Sequence, residues 1–263
     1  MNLLIVIVLS VTQGVTEFLP ISSSAHLLLL PWLLNWPDPG LAFDAATHIG
    51  TALALIVFFY KDFWRLYKEK QPLLWYILIA SVPAAILGFI GSDLIDKYLH
   101  KSAAAPLIVG IGLMFFGLVL YVIDKTAKLE KNLEKMKLSD SLIIGFAQAL
   151  ALIPGTSRSG VTISAGLLLG YSREEAARFS FLLATPISLG AGAYSLLSII
   201  KDPAATRSES ITLTVVGIVV SFMVGLAVIK WLLDYLRKHS MLVFVVYRVI
   251  IGLGVVVIWL VRR

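Results

Sequence analysis

Segments of about twenty apolar residues recur along this chain, and that recurrence limits what it can fold into more than any other feature. A hydrocarbon core roughly 30 Å thick needs about 20 apolar residues of helix to cross it. Six stretches have that length and character: roughly 41–60, 72–91, 104–124, 175–200, 211–236 and 240–261. Of the 263 residues, 59% are hydrophobic and 14% charged, against roughly 25% charged in an ordinary soluble domain. A mean hydropathy of +0.90 over the full length cannot come from one buried core. The expected fold is an all-α polytopic membrane bundle forming a single integral membrane domain over residues 1–263.

Two further apolar regions, roughly 3–34 and 141–170, are broken in the middle by proline and hydroxyl residues. The breaks are FLPISSSAH (18–26) and LIPGTSRSG (152–160). Proline lacks an N–H and drives the residue before it out of the helical state. Each region therefore becomes two helices of about a dozen residues, roughly 18–25 Å long, too short to cross comfortably. Re-entrant helical hairpins fit both.

The charges test that reading. Lys61, Arg65, Lys68, Lys70, Lys125, Lys128, Lys131, Lys135, Lys137, Arg173, Arg178, Lys230, Arg237 and Lys238 fall on one face only if both broken regions are hairpins. The other face then holds Lys97, Lys101, Lys201, Arg207, Arg262 and Arg263, and Arg158 and Arg248 stay at membrane depth. Such a bias is what the positive-inside rule produces. The net charge of +6 is thus a topology signal, with no basic stripe for nucleic acid. The first hairpin enters from outside and the second from the cytoplasm, each followed by three spans. That makes an inverted-topology repeat, about 1–125 and 139–263. Gln13 to Pro20-Ile-Ser-Ser-Ser resembles Gln148 to Pro154-Gly-Thr-Ser-Arg-Ser, and Phe43 to Gly50-Thr51 echoes Phe179 to Gly190-Ala191. Repeats with interrupted helices are a known way to build a membrane site. The absence of cysteine removes disulfides and thiolate chemistry. The apolar start at Asn2-Leu3 lacks a basic region and a cleavage site, so no removable signal is expected.

Ionisable groups at membrane depth are costly and are functional candidates by default. Here they are Glu17, His26, Asp44, His48, Arg158 and Arg248, and three of them lie in or beside the breaks. If Ser22 or Ser23 caps the helix that follows, free N–H groups and the helix dipole favour a phosphate at the turn. Ser22, Ser23 and Ser24 add hydroxyl donors and a candidate nucleophile. His26 lies three residues after Ser23, so the two can share a helix face as nucleophile and acid/base. Glu17 and Gln13, four apart, offer oxygens to a hard divalent cation. In the second break, Arg158 among Thr156, Ser157, Ser159 and Gly160 forms a phosphate clamp. Blander roles compete. Serines satisfy backbone at membrane kinks, Asp44 caps a helix, His48 packs, Arg248 snorkels or pairs structurally, and Trp32, Trp36, Trp64 and Trp75 suit an interfacial belt.

QGVTEFLPISSSAH (13–26) and PGTSRSG (154–160) resemble the two signature motifs of the bacterial undecaprenyl-diphosphate phosphatase family, also known for bacitracin resistance. FDAATHIGT (43–51), SFLLATP (180–186) and Tyr247-Arg248 extend the resemblance over nearly the whole chain. It implies hydrolysis of the C55 lipid diphosphate to the monophosphate carrier, which is recycled for peptidoglycan. It also implies a divalent cation (Mg2+ or Ca2+), six spans with two re-entrant hairpins, the bacterial plasma membrane, and a site open to its outer face. Position by position, it makes Glu17 the acidic metal or catalytic residue, Ser23 the candidate nucleophile and His26 the acid/base, with covalent attack by Ser23 and a His26-activated water both open. Ser157, Arg158 and Thr162 would bind phosphate, along with the hydroxyls of Ser22, Ser24, Thr156 and Ser159. The chain departs from the family in having Gln13 where Glu is common and Ser24-Ala25 where Thr-Gly is. Gln13 keeps an oxygen but loses a charge, and Asp44 is the carboxylate that could compensate. The partners implied are the polyprenyl diphosphate and the bilayer; a homodimer is left open.

Two other functions fit parts of the pattern. A transporter or flippase for the same lipid would use inverted repeats and broken helices, but would have no need of a nucleophile–base pair. A phosphatase of the His-nucleophile type would need a downstream His and Asp that do not follow the Ser-Arg sequence.

Overall fold

The computed structural model of the protein describes residues 2–37, 40–95, 102–201 and 211–262. Lys97, Lys101, Arg207, Arg263 and the side chain of Lys201 lie outside the described residues. The described chain is helical: α1 Leu3–Thr16, α2 Ser23–Leu34, α3 Leu41–Lys68, α4 Pro72–Ile95, α5 Ala105–Thr126, α6 Leu138–Ala149, α7 Arg158–Leu168, α8 Arg173–Lys201, α9 Ile211–Leu236 and α10 Leu242–Arg262. Among the described residues, five helices are long and apolar enough to cross a membrane: α4 over Pro72–Gly91, α3 from Phe43, and α5, α9 and α10 entire. The stretch expected as the sixth span, 175–200, falls in the 29-residue helix α8, which is not among these five.

Both broken regions fold as expected into paired short helices. α1 and α2 are separated by Glu17 to Ser22, and α6 and α7 by a 3₁₀ turn over Leu150–Leu152 and the PGTS segment. The two second helices begin alike. Ser22 caps α2 from φ 75° and accepts from the Ala25 N–H, while Ser157 caps α7 from φ 75° and accepts from the Gly160 N–H. Hydroxyl caps satisfy an otherwise orphaned N–H, and a positive φ at serine is uncommon enough to mark a constrained turn.

One expectation needs adjusting. The first long span does not end near residue 60, because α3 runs on to Lys68 and carries Arg65 and Lys68 in its last turn. Helical hydrogen bonding does not stop where the apolar run stops, and cations at the C-terminal end meet the negative end of the dipole.

Each short hairpin packs against the second long helix of the other half, α1 on α9 and α6 on α4. Without a hydrophobic drive between helices in lipid, close approach of small residues does the packing. Gly145 of α6 shows it: a Cβ there would lie 2.2 Å from the Ala80 carbonyl oxygen of α4. A buried aromatic cluster of Phe18, Phe59 and Phe181 ties the first turn to α3 and α8, with Phe18 edge-on to Phe181 at 5.5 Å.

The basic connections converge at one end of the bundle. Glu130 and Lys131 donate their backbone N–H groups to the Gly170 carbonyl at 2.9 and 2.8 Å. Arg173 Nε meets Asp124 at 2.5 Å, the Met241 N–H donates to the same carboxylate at 3.1 Å, and Arg237 pairs with Glu174. Arg178 pairs with Asp62. The Tyr171 hydroxyl donates to Asp140 at 2.7 Å, and burial together with that carboxylate pushes the phenol well above its ordinary range. Arg262 is elsewhere, donating to the Trp32 and Leu33 carbonyls at the far end of α2 and lying 4.8 Å over the Trp32 ring.

Candidate active site

Glu17 caps the end of α1 directly before the first break, buried at 8% exposure. Three side chains converge on its carboxylate. Arg158, from the first turn of α7, donates Nη2 to Oε1 at 2.5 Å, and Ser23, first residue of α2, donates its hydroxyl to Oε2 at 2.5 Å. Gln13, a helical turn back along α1, donates Nε2 to Oε2 at 3.2 Å. The other arm of the Arg158 fork donates Nη1 to Ser188 of α8 at 2.9 Å. A planar guanidinium can serve two partners at once in this way, so the two breaks meet at one carboxylate.

A cavity of about 240 Å³ opens beside the group, with Glu17, Ser22, Ser23, Ser24, His48, Gln148, Ser157, Arg158 and Ser188 on its polar walls. Ala84, Ala151, Leu152, Ile187 and Ala191 form the apolar remainder. The first turns of both α2 and α7 border it, so uncapped N–H groups and two positive dipole ends lie at its edge. Charged hydroxyl-rich walls on one side and an apolar side on the other suit a ligand with an anionic head and a lipid tail. A larger cavity, about 440 Å³, lies at the end where the basic connections converge, among Asp62, Arg65, Glu175 and Arg178. Asp62 there takes both Arg178 and Arg65, and Glu175 accepts from the Leu133 N–H. The smaller cavity is the one that gathers the expected carboxylate, hydroxyls and guanidinium.

The structure brings Glu17, Ser22, Ser23, Ser24, Ser157 and Arg158 to this cavity. It does not bring His26 there. The His26 ring meets the Ser22 carbonyl at Nδ1 and the Tyr247 hydroxyl at Nε2, each at 2.7 Å, and stacks on Tyr247. Ser23, at the very start of α2, turns back to Glu17, so the expected Ser23–His26 contact does not form. Three other expected phosphate binders also face elsewhere. Thr162 bonds to Ser180 at 2.6 Å, Ser159 donates to the Leu19 carbonyl at 2.9 Å, and Thr156 is buried with its hydroxyl unpartnered. Asp44 is not on the cavity wall; its carbonyl takes the Nδ1 of His48 at 2.8 Å.

Among the described residues, no group of three His, Asp or Glu side chains is placed to hold a metal. A carboxylate has about four lone-pair sites, and Mg2+-like cations keep waters and bind through one or two protein oxygens plus substrate phosphates, so Glu17, on the cavity wall, fits such an ion. Gln13 is not on that wall, and its Oε1 is buried without a partner.

Four contributors have no site role assigned from the sequence, His48 and Arg248 being read there as packing or structural groups. His48 and Ser188 reach the cavity from the long helices α3 and α8, with no break nearby to mark them. Gln148 stood out only through its likeness to Gln13. Arg248, fully buried, reaches both breaks at once: Nη1 donates to the Pro20 carbonyl at 3.0 Å, and Nη2 to those of Gly155 and Thr156 at 2.8 and 3.0 Å.

The family described as Bacitracin resistance protein BacA matches residues 6–254. The chain is 42% identical over 271 residues to an undecaprenyl-diphosphatase of Moorella thermoacetica, covering 100% of both chains. It is 41% identical to one of Desulforudis audaxviator, covering 97% of each. To one of Chromohalobacter salexigens it is 42% identical, covering 98% of this chain and 99% of the relative.

Proposed function

The chain belongs to the BacA family of bacitracin resistance proteins and acts as an undecaprenyl-diphosphatase, and we propose that it does so in the cavity around Glu17, with Ser23 as nucleophile. The observation that carries the proposal is the pair of contacts on the Glu17 carboxylate, Ser23 on one oxygen and Arg158 on the other. A hydroxyl hydrogen-bonded to a buried carboxylate is the arrangement of an activated nucleophile. The arriving diphosphate competes for the Arg158 fork, and as the guanidinium turns to phosphate oxygens, Glu17 loses its counter-charge and becomes a better base.

In the first step the Ser23 oxygen attacks the terminal phosphorus while its proton passes to Glu17. The bond from that phosphorus to the bridging oxygen breaks, and the lipid monophosphate leaves with the electron pair. Glu17 then passes that proton to the departing monophosphate, and water attacks the phosphoserine: one water proton moves through the Glu17 carboxylate to the leaving Ser23 oxygen, restoring its hydroxyl, and the other stays on the inorganic phosphate released. Arg158, the first N–H groups of α2 and α7, and the Ser22, Ser24 and Ser157 hydroxyls meet the charge that builds on the equatorial oxygens. His26 acts from outside the cavity, holding the Ser22 carbonyl and with it the first turn of α2. A divalent cation held by Glu17 would neutralise phosphoryl charge when bound.

The same reading extends to the membrane. Six spans (α3, α4, α5, α8, α9 and α10) and two re-entrant hairpins form an inverted repeat. The end where the basic connections meet is cytoplasmic, and the cavity opens towards the outer face. Cysteines placed at Lys68 and Lys131 should react with an impermeant maleimide only after the cells are opened, and one at Arg262 in intact cells. Labelling of all three in intact cells rules the orientation out.

Phosphate release from a C55 diphosphate by the purified protein, with and without a chelator, tests the chemistry. Glu17→Gln should cut the rate by a factor of roughly a hundred or more, within the usual range for losing a general base. A near-normal rate in Glu17→Gln would remove Glu17 from the mechanism.

A further inference from the structure

Buried polar groups are almost always hydrogen-bonded, and an exception calls for a cause. Gln148 of α6 is 2% exposed, lines the cavity, and has no partner at either amide atom. A primary amide in that state has two donor hydrogens and two acceptor lone pairs idle.

The two hairpins show why. Gln13 and Gln148, Ser22 and Ser157, and Ser23 and Arg158 are all 135 residues apart. Both glutamines thus stand nine residues before the serine that caps the next helix. In the first hairpin Gln13 finds Glu17 one turn along and donates to it. The position matching Glu17 in the second hairpin is Leu152, which has nothing to offer an amide. Gln148 therefore keeps a binding group whose partner its own hairpin does not supply, and presents it to a cavity that holds Arg158, Ser157 and Glu17.

We propose that Gln148 is a head-group binding residue: its amide N–H donates to a phosphoryl oxygen of the bound diphosphate. A phosphoryl oxygen is acceptor-only, so it takes the amide hydrogen, and the amide carbonyl is left for water. One amide of the repeat holds the carboxylate, and its counterpart holds the substrate. The inference rests on the reading that this cavity receives the diphosphate.

The test uses the full-length purified protein and three substitutions, Gln148→Met, Gln148→Ala and Gln148→Glu. Methionine matches the length of glutamine and has no amide. A hydrogen bond to a charged group, lost from the bound state, should raise KM for the C55 diphosphate roughly ten- to 150-fold. The inhibition constant of inorganic diphosphate should rise in parallel, with kcat changed less than KM. Gln148→Glu should be the worst of the three, since it sets a second anion against the phosphate. Without ligand, Gln148→Met should melt no lower than the unsubstituted protein, because the amide it removes was unpaired. A structural glutamine would give the opposite, a lower melting temperature at unchanged KM, and that result overturns the proposal. So does a Gln148→Glu protein with full activity and a sharper cation requirement, which would put Gln148 on a metal. Glu17→Gln run alongside separates the two failures. If it stays active, the cavity has been misread; if it is dead while Gln148→Met has normal KM and inhibition constants, only this inference falls.

Discussion

At the scale of single residues the site turns on the shape of one cation. Arg158 spans Glu17 and Ser188 with separate nitrogens of one planar group, and a lysine ammonium cannot take both positions from the same backbone. Arg158→Lys should therefore behave as a loss despite keeping its charge. Forfeiting one charge-assisted hydrogen bond of about 1.5–3 kcal/mol corresponds to roughly ten- to 150-fold in kcat/KM for phosphate release. If the fork serves only the transition state, kcat falls at fixed KM; if it only holds the head group, KM rises alone. Arg158→Ala should be worse than Lys in either case, and full activity in the Ala variant would take the phosphate away from this cavity. Glu17, Ser23 and Arg158 were legible in the sequence because ionisable and hydroxyl groups inside broken apolar runs have few other reasons to be there. His48 and Ser188 were not, since each lies in the middle of a continuous helix and looks like ordinary packing until the fold brings it across. The Ser23–His26 pairing was a reasonable inference from helical spacing. It does not form because Ser23 is the first helical residue, where the side chain answers to the turn and its carboxylate.

At the scale of elements, the turn of the second hairpin depends on what glycine alone allows. Gly155 has φ +83°, and a Cβ there would lie 2.5 Å from the Val109 carbonyl oxygen of α5. Gly155→Ala thus combines a left-handed penalty of about 1–2 kcal/mol with a collision against backbone that cannot swing aside. It should lower the melting temperature and the specific activity together. Gly190, an exposed position on α8, has ordinary φ and nothing within 4 Å of its would-be Cβ. There the same substitution should be neutral or stabilising, by up to about 1 kcal/mol from helix propensity. Thermal melts of the two variants in one detergent compare them directly, and equal effects would mean the turn is not under constraint. The existence of both hairpins was readable from Pro20 and Pro154, whose lack of an N–H acts locally. The length of α3 was less so, because hydropathy marks where apolar side chains stop and carries no signal for where hydrogen bonding does.

At the scale of the whole molecule, two turns from distant parts of the chain must be held in register, and their buried carbonyls need partners inside the bundle. Arg248 of α10 does this from one side chain. It donates to Pro20 in the first turn, to Gly155 and Thr156 in the second, and through Nε to Leu113 of α5 at 3.0 Å. Sequence reasoning put Arg248 at membrane depth but could not say what it held, because its partners are backbone oxygens, which leave no trace in residue identity. Removing it strands several carbonyls, each at a cost of about 1–3 kcal/mol if left unpaired. Lysine could recover only part of that. Arg248→Met should therefore lower the melting temperature sharply, broaden the size-exclusion peak and lose activity as folded protein is lost, with Arg248→Lys intermediate. Arg158→Lys should do the reverse, losing activity at an unchanged melting temperature, since its side chain has neighbours that solvent or substrate can replace. Measured side by side, the two arginines separate the group that meets phosphate from the group that brings the hairpins together. If Arg248→Met melts normally and fails only in catalysis, Arg248 belongs to the chemistry and the two turns are held together by their packing alone.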